Sequence, residues 1–313
     1  MTTSASPTRA EPTKEVAPAR LLGVFTPAGL TMTLVLTVAF VTLFYRWFLR
    51  QHLHSYHAVE DWGHAYVIPL ISLYIIWQSR EAISKIRPEV FWPGLAPFLL
   101  GIMTYFAGVV TIRNHMVQGF AIVLTVFGLT LLMTGPRLMK YLFIPIAYLV
   151  FAVTISESIM LSITFKLQMI ASKGAYILLN LIGQPFDWFS VEIDGNRLDI
   201  LYKTQIIPMN VAEACSGMRM VVAFLALAVA VALLACGQWW QRTALLLLAA
   251  PVAILMNVLR VTVLGLVLLA NPDLASGDAH TVIGTLLLFP SLLLFLGIVW
   301  ALNRVYRPTG EDS

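Results

Sequence analysis

Charge is what this sequence has least of. Asp, Glu, Lys and Arg make up only 12% of it, against about 25% in ordinary soluble domains. Together with 59% hydrophobic residues and a mean hydropathy of +0.82, this excludes a soluble globular fold. Cysteine is nearly absent. Cys215 and Cys236 form no CxxC metal pair. As residues of one helix they would lie about 30 Å apart, too far for a disulfide. No basic stripe interleaved with aromatics is present, so the net charge of +4 is no argument for nucleic-acid binding. It is ordinary for a membrane protein whose inner loops collect Lys and Arg. No internal repeat is visible, which removes one support for a transporter built on inverted halves.

What the chain has instead is apolar runs. A helix needs about 20 apolar residues to cross a bilayer. Eight stretches read as crossings: 29–45, 65–79, 93–111, 116–134, 141–156, 218–236, 243–270 and 281–302. The fold class is therefore all-α, a polytopic membrane helical bundle with about eight transmembrane helices. Residues 1–27, rich in Thr, Ser, Pro, Ala and Glu, read as an uncleaved, disordered cytoplasmic tail. Residues 28–304 form the membrane-embedded domain, and 305–313 a cytoplasmic C-terminal tail. With Arg9, Lys14 and Arg20 inside, the short loops holding Arg80, Lys85 and Arg87, then Arg137 and Lys140, then Arg242, also fall inside.

Residues 160–183 break the pattern. Lys166, Gln168, Ser172 and Lys173 lie among Leu, Ile, Phe and Tyr, and lysine within a span costs about 3 kcal/mol or more. The expectation is an amphipathic helix in the outer interface. An extracytoplasmic insertion, about 184–214, follows. Within it residues 191–200 alternate apolar and polar around Asp194-Gly195, the pattern of a small β-hairpin. This hairpin reads equally as a cap over the bundle and as a strand edge able to hold an extended peptide.

Three residues carry the chemistry. Cys215 lies in Glu213-Ala214-Cys215-Ser216-Gly217-Met218-Arg219, where polar sequence turns into a span. Ser216 suits the N-cap of that helix, and the positive helix end favours a thiolate just ahead of it. A cation in the first turn, Arg219, opposes the dipole, so it serves either the thiolate or a lipid phosphate. Alone, Cys215 reads equally as structural. Arg260 changes the balance, because an arginine deep in apolar sequence is expensive and marks a functional site. Asn257, three residues earlier, shares its helical face. His280 precedes the last span, on the same outer side as Cys215 in this topology. A nucleophile, an oxyanion stabiliser and a proton carrier result. Cys236, at the end of its span, reads as a small apolar filler. A second cluster holds His52, His54, His57 and His64 with Glu60 and Asp61. It reads as a polar interfacial loop. Its spacing fits no closed zinc pattern, and neither a metal nor a cofactor is expected.

These motifs resemble the exosortase/archaeosortase family, integral-membrane, sortase-like cysteine transpeptidases. The resemblance rests on Ala214-Cys215-Ser216-Gly217-Met218-Arg219, on Asn257-Val258-Leu259-Arg260-Val261, and on His280 with Gly284, and it runs from about His64 to Trp300. Residues Asp61 to Tyr66 with Pro69 resemble the family's His-Gly…Pro segment. Met220 departs from a common Ser, and Ala65 from a common Gly. The resemblance implies Cys215, Arg260 and His280 as the catalytic set, with Ser216, Arg219, Asn257 and His64 supporting. It implies a bacterial inner membrane, an outward-facing site and cleavage through a thioester. The partners it implies are membrane lipid and exported proteins with a tripartite C-terminal signal of PEP-CTERM type, in a setting of exopolysaccharide production. Two readings stand against it. A non-enzymatic subunit of exopolysaccharide export would tolerate loss of all three residues, and a transporter would work without Cys215.

Overall fold

The computed structural model describes residues 27–57, 62–203, 205–211, 217–235, 238–271 and 288–305. Helix α1 (Pro27–His57) buries a stripe only along its C-terminal half: Phe44, Trp47, Gln51 and Ser55, spaced three and four apart on one face. Helix α2 (His64–Gln78) follows, then the short α3 (Arg80–Ser84).

Helix α4 (Leu95–Val110) and α5 (His115–Tyr148) form a close antiparallel pair. Gly94, just ahead of α4, then Gly101 and Gly108 recur every seven residues, two helical turns, and meet Leu132, Thr125 and Gln118 in reverse order. The contact is backbone to backbone at one end: a Cβ at Gly94 would lie 2.5 Å from the Leu132 nitrogen. At the other end Gln118 Nε2 donates to the Gly108 carbonyl at 2.9 Å.

Helix α5 is not one rod. At Gly135 the backbone leaves helical space, with φ 76° and ψ 172°, a conformation that suits glycine, and Pro136 follows. The chain folds back there. A Cβ at Gly119 would lie 2.5 Å from the Val153 side chain, and Phe127 stacks edge-to-face on Phe143 at 5.9 Å. A straight helix would hold residues 119 and 153 about 50 Å apart. The stretch is thus two antiparallel arms, which the sequence places in separate spans. At the bend, Phe91 N–H donates to the Leu132 carbonyl at 2.9 Å. Arg137 meets Glu89 at 3.3 Å, an exposed pair of little energetic weight.

Helix α6 (Glu157–Gly183) packs against the C-terminal half of α8 (Trp239–Ala270), with Gly174 meeting Val258 and Gly265 meeting Leu179. Its polarity is inverted. Gln168, Ser172 and Asn180 are buried, whereas Leu161, Phe165, Ile177 and Leu181 are exposed, with Lys166 and Lys173 also outside. Helix α7 (Gly217–Ala235) runs antiparallel to α8. Ala228 and Ala232 share a core with Leu245, Ala249, Val252 and Met256 of α8 and with Phe295 and Val299 of α9 (Leu288–Val305). Alanines on α7 let the backbones approach closely, the common means of helix association in lipid.

Four helical stretches among the described residues are long and apolar enough to cross a membrane: Gly29–His57, Trp92–Val110, His115–Ala152 and Trp239–Ala270. Shorter apolar helices cover His64–Gln78, Phe224–Leu234 and Leu293–Leu302. By length and composition the count is therefore four, not the expected eight. Three things lower it: His64–Gln78 is short, His115–Ala152 contains the reversal at Gly135, and the described apolar parts of α7 and α9 are short.

The expected hairpin is a three-stranded antiparallel meander, β1 (Phe189–Asp194), β2 (Arg197–Tyr202) and β3 (Gln205–Asn210), in that order. Residues 191–200 do form its first turn, with Gly195 at φ 61°. The third strand is disguised by Pro208, which removes a strand signal. Val211 N–H donates to the Asn196 carbonyl at 3.0 Å, so pairing residues alternate from 211, and Pro208, opposite Asp199, falls on the outward-facing side where no amide is required. On the other edge, the Asn180 side chain accepts from Val191 N–H and donates to its carbonyl, both at 3.0 Å. Leu198, Ile200, Val191 and Met209 bury one sheet face against α6 and α8.

Candidate functional site

Of the expected catalytic residues, Arg260 lies on a described element with its side chain defined. Cys215, Ser216 and His280 lie outside the described residues, as does Cys236. Arg219 belongs to the first turn of α7, its side chain outside the description. Glu60 and Asp61 of the histidine cluster are likewise outside.

The position of Arg260 follows from helix periodicity. Phe224 of α7 packs on Ala253 of α8 in the buried contact between them. Arg260 is seven residues past Ala253, two turns along the same stripe of α8. In an antiparallel pair, seven residues back from Phe224 is Gly217, the first residue of α7. Arg260 therefore sits at the level of the start of α7, on the stripe that faces it, and Cys215 precedes that start by two residues. The Arg260 Nε is shielded from solvent, and Asn257, one turn earlier, is only 3% exposed. Arg260 and the buried Asn257 thus bring polar groups to the part of α8 level with the start of α7.

His64 opens α2. Its ring lies 5.8 Å from that of Trp62, and the Phe151 backbone faces it. One turn on, Ile68 shares a buried cluster with Tyr148 of the second α5 arm and with Ala226 and Ala230 of α7. Through Ile68, α2 is thus attached to the helix that follows Cys215. The other histidines do other things. His52 Nδ1 meets the Tyr66 hydroxyl at 2.9 Å. His54 donates from Nδ1 to the Arg50 carbonyl at 2.7 Å and stacks on His115 at 5.2 Å. Among the described residues no three His, Cys, Asp or Glu side chains come together in a way that would hold a metal ion.

One polar knot was not foreseen. His115 lies between the parallel rings of Trp47 and His54, and its Nε2 donates to Gln51 Oε1 at 2.9 Å. Thr154 donates to the same oxygen at 3.3 Å, and Gln51 Nε2 reaches Ser55 at 3.3 Å. Trp47 Nε1 donates to the His115 carbonyl at 3.1 Å. The knot ties α1 to both ends of the α5 hairpin. Gln51, His115 and Thr154 are 64 and 39 positions apart along the chain (115 − 51 and 154 − 115), so no local motif marks them.

Long apolar helices that expose their apolar faces define a multi-pass helical membrane protein. The chain belongs to the transmembrane exosortase family, whose model matches residues 56–297. Neither a curated protein nor a solved structure matches it. The match begins near the end of α1 and includes Cys215, Arg260 and His280.

Proposed function

We propose that the protein is a cysteine peptidase or transpeptidase of the bacterial inner membrane, acting on exported proteins with a C-terminal sorting signal of PEP-CTERM type. The observation that carries this reading is the level of Arg260, opposite the start of the helix that Cys215 immediately precedes. The Cys215 thiolate attacks the carbonyl carbon of a substrate peptide bond. Arg260 stabilises the resulting oxyanion, a contribution of roughly 3 kcal/mol in comparable sites. The C–N bond breaks as His280 gives a proton to the departing amine, leaving a thioester on Cys215. Water or an amine then displaces the thiol, with His280 as base, and the thiol is regenerated. Ser216, Arg219 and Asn257 support this set by capping the helix and by adding polar and positive groups around the thiolate.

About eight crossings fit this reading, with the two α5 arms counted separately and α2, α7 and α9 each crossing once. The N-terminus then lies inside and the Cys215 mouth outside, where a signal helix reaches it laterally from the bilayer. Exopolysaccharide production is the setting in which such sorting operates.

The test is Cys215→Ala in the full-length protein. The variant is expected in the membrane at normal level, with the substrate precursor accumulating uncleaved. Normal processing in that variant overturns the proposal.

A further inference from the structure

The C-terminal half of α1 carries arginines that no carboxylate nearby explains. Arg46, Arg50, His54 and His57 are exposed and follow one another at intervals of four, four and three residues, so they line one flank of the helix beside its buried stripe. The α4–α5 turn adds Arg113, also exposed. Ring contacts set the level of that turn: Phe44 meets Tyr105 edge-on at 4.6 Å, while Trp47 and His54 stack on His115 at 5.0 and 5.2 Å. Arg113, two residues before His115, is therefore carried to the height of Arg50. Arg46 donates from Nε to the Tyr45 hydroxyl at 3.3 Å, which leaves the four N–H groups of its fork. Residues 27–59 and 90–156 contain no Asp or Glu. The ion pairs among the described residues, Arg137–Glu89 and Arg197–Asp199, lie elsewhere. Arg113 also holds φ 52°, a left-handed conformation that favours Gly or Asn. An arginine kept in that conformation points to a use for its side chain.

We propose that Arg46, Arg50 and Arg113 form a binding surface for the phosphate of an anionic glycerophospholipid in the outer leaflet. In the topology proposed above α1 ends outside, the side on which short loops are usually poor in Lys and Arg, so insertion does not account for three arginines there. The first apolar run ends at Tyr45 and Arg46 follows directly, which puts the flank at headgroup depth. Arg46 and Arg50 are one turn apart, about 6 Å along the axis, close enough for one phosphodiester to meet both forks. Exposed Leu49 and Leu53 border the same flank and offer acyl chains an apolar seat, which a soluble polyanion would not use. A choline headgroup brings its own cation against the arginines, so the surface favours a net negative lipid. The proposal is independent of the peptidase reading and uses only the orientation of α1.

The experiment uses full-length protein in proteoliposomes of equal parts phosphatidylglycerol and phosphatidylcholine, with a benzophenone amino acid placed at the exposed Leu49. After illumination, mass spectrometry counts the lipids attached at that position. The expected result is a phosphatidylglycerol excess of about tenfold or more, since each arginine near a charged surface is worth roughly fivefold. Arg46→Gln, Arg50→Gln and Arg113→Gln together are expected to bring the ratio to within about twofold of one. The same three positions changed to Lys are expected to keep most of the excess. Should the triple Gln variant fail to accumulate, Arg113→Gln alone is expected to lower the ratio by roughly fivefold. Equal labelling by the two lipids in the unsubstituted background overturns the proposal, as does an excess that survives the Gln substitutions. Loss of the lipid excess on adding soluble polyglutamate at physiological salt also overturns it, because the arginines would then serve a water-soluble polyanion.

Discussion

The Tyr148 hydroxyl donates to the backbone carbonyl of Ala226 at 3.1 Å, in a buried contact between the second α5 arm and α7. It crosses from the α4–α5 hairpin to the helix that starts just after Cys215. Ala226 keeps its own helical bond, so deleting the hydroxyl leaves no orphaned acceptor. Tyr148→Phe is expected to lower stability by about 0.5–1.5 kcal/mol, the lower end being usual in membranes. Thermal unfolding in detergent measures this, and an unchanged midpoint would show that the bond contributes nothing.

Gly128 faces the backbone of Phe98, and any Cβ there would overlap it. The neighbour is main chain, which has no rotamer to yield. Gly128→Ala is expected to part the two helices and to cost about 1–3 kcal/mol, as overpacking does. Gly297, where an added Cβ meets nothing within 4 Å, is the control. Unfolding midpoints that fall equally for Gly128→Ala and Gly297→Ala would refute the close-packing account.

Arg260→Lys keeps a positive charge but loses the planar fork of donors, and the shorter reach of an ammonium changes what it meets. Turnover of the precursor is expected to drop by about a hundredfold or more, with protein level unchanged. Cys236→Ala is expected to process normally. A variant Arg260→Lys as active as wild type would argue that only bulk charge matters at this position.

Gln51→Leu removes the acceptor shared by His115 and Thr154 and leaves two buried donors unmatched. The expected loss is about 1–3 kcal/mol. Because α1 buries few side chains besides Phe44, Trp47 and Ser55, limited proteolysis is expected to release α1 first. Uniform cleavage along the chain instead would mean that the knot does not anchor α1.

The helices were legible because apolar runs of span length have few other solutions in water or lipid. Individual spans at 93–111 and 243–270 correspond closely to α4 and α8. The reversal at Gly135 was legible too, since Gly-Pro between Thr134 and Arg137 ends one run and charge separates it from the next. What escaped was non-local. The Gln51–His115–Thr154 knot joins three segments, and single-sequence patterns report neighbours within a few residues. The third strand escaped because Pro208 reads as a breaker until its register shows it facing outward. Arg260 stood out through its solvation cost alone, and helix periodicity then set its level against Gly217. Which side of α6 each polar residue takes was not legible: Gln168 and Ser172 point into the bundle, whereas Lys166 and Lys173 lie outside.

Asn180 on one margin of the sheet and Pro208 on the other have a joint consequence. Each margin is where an identical molecule would otherwise add its own strand and begin a ribbon. A side-chain amide already occupies Val191 on the first, and the second lacks the donor that Pro208 cannot supply. Molecules crowded at high density in one bilayer can therefore collide sheet to sheet without polymerising, and the meander ends at three strands in every copy.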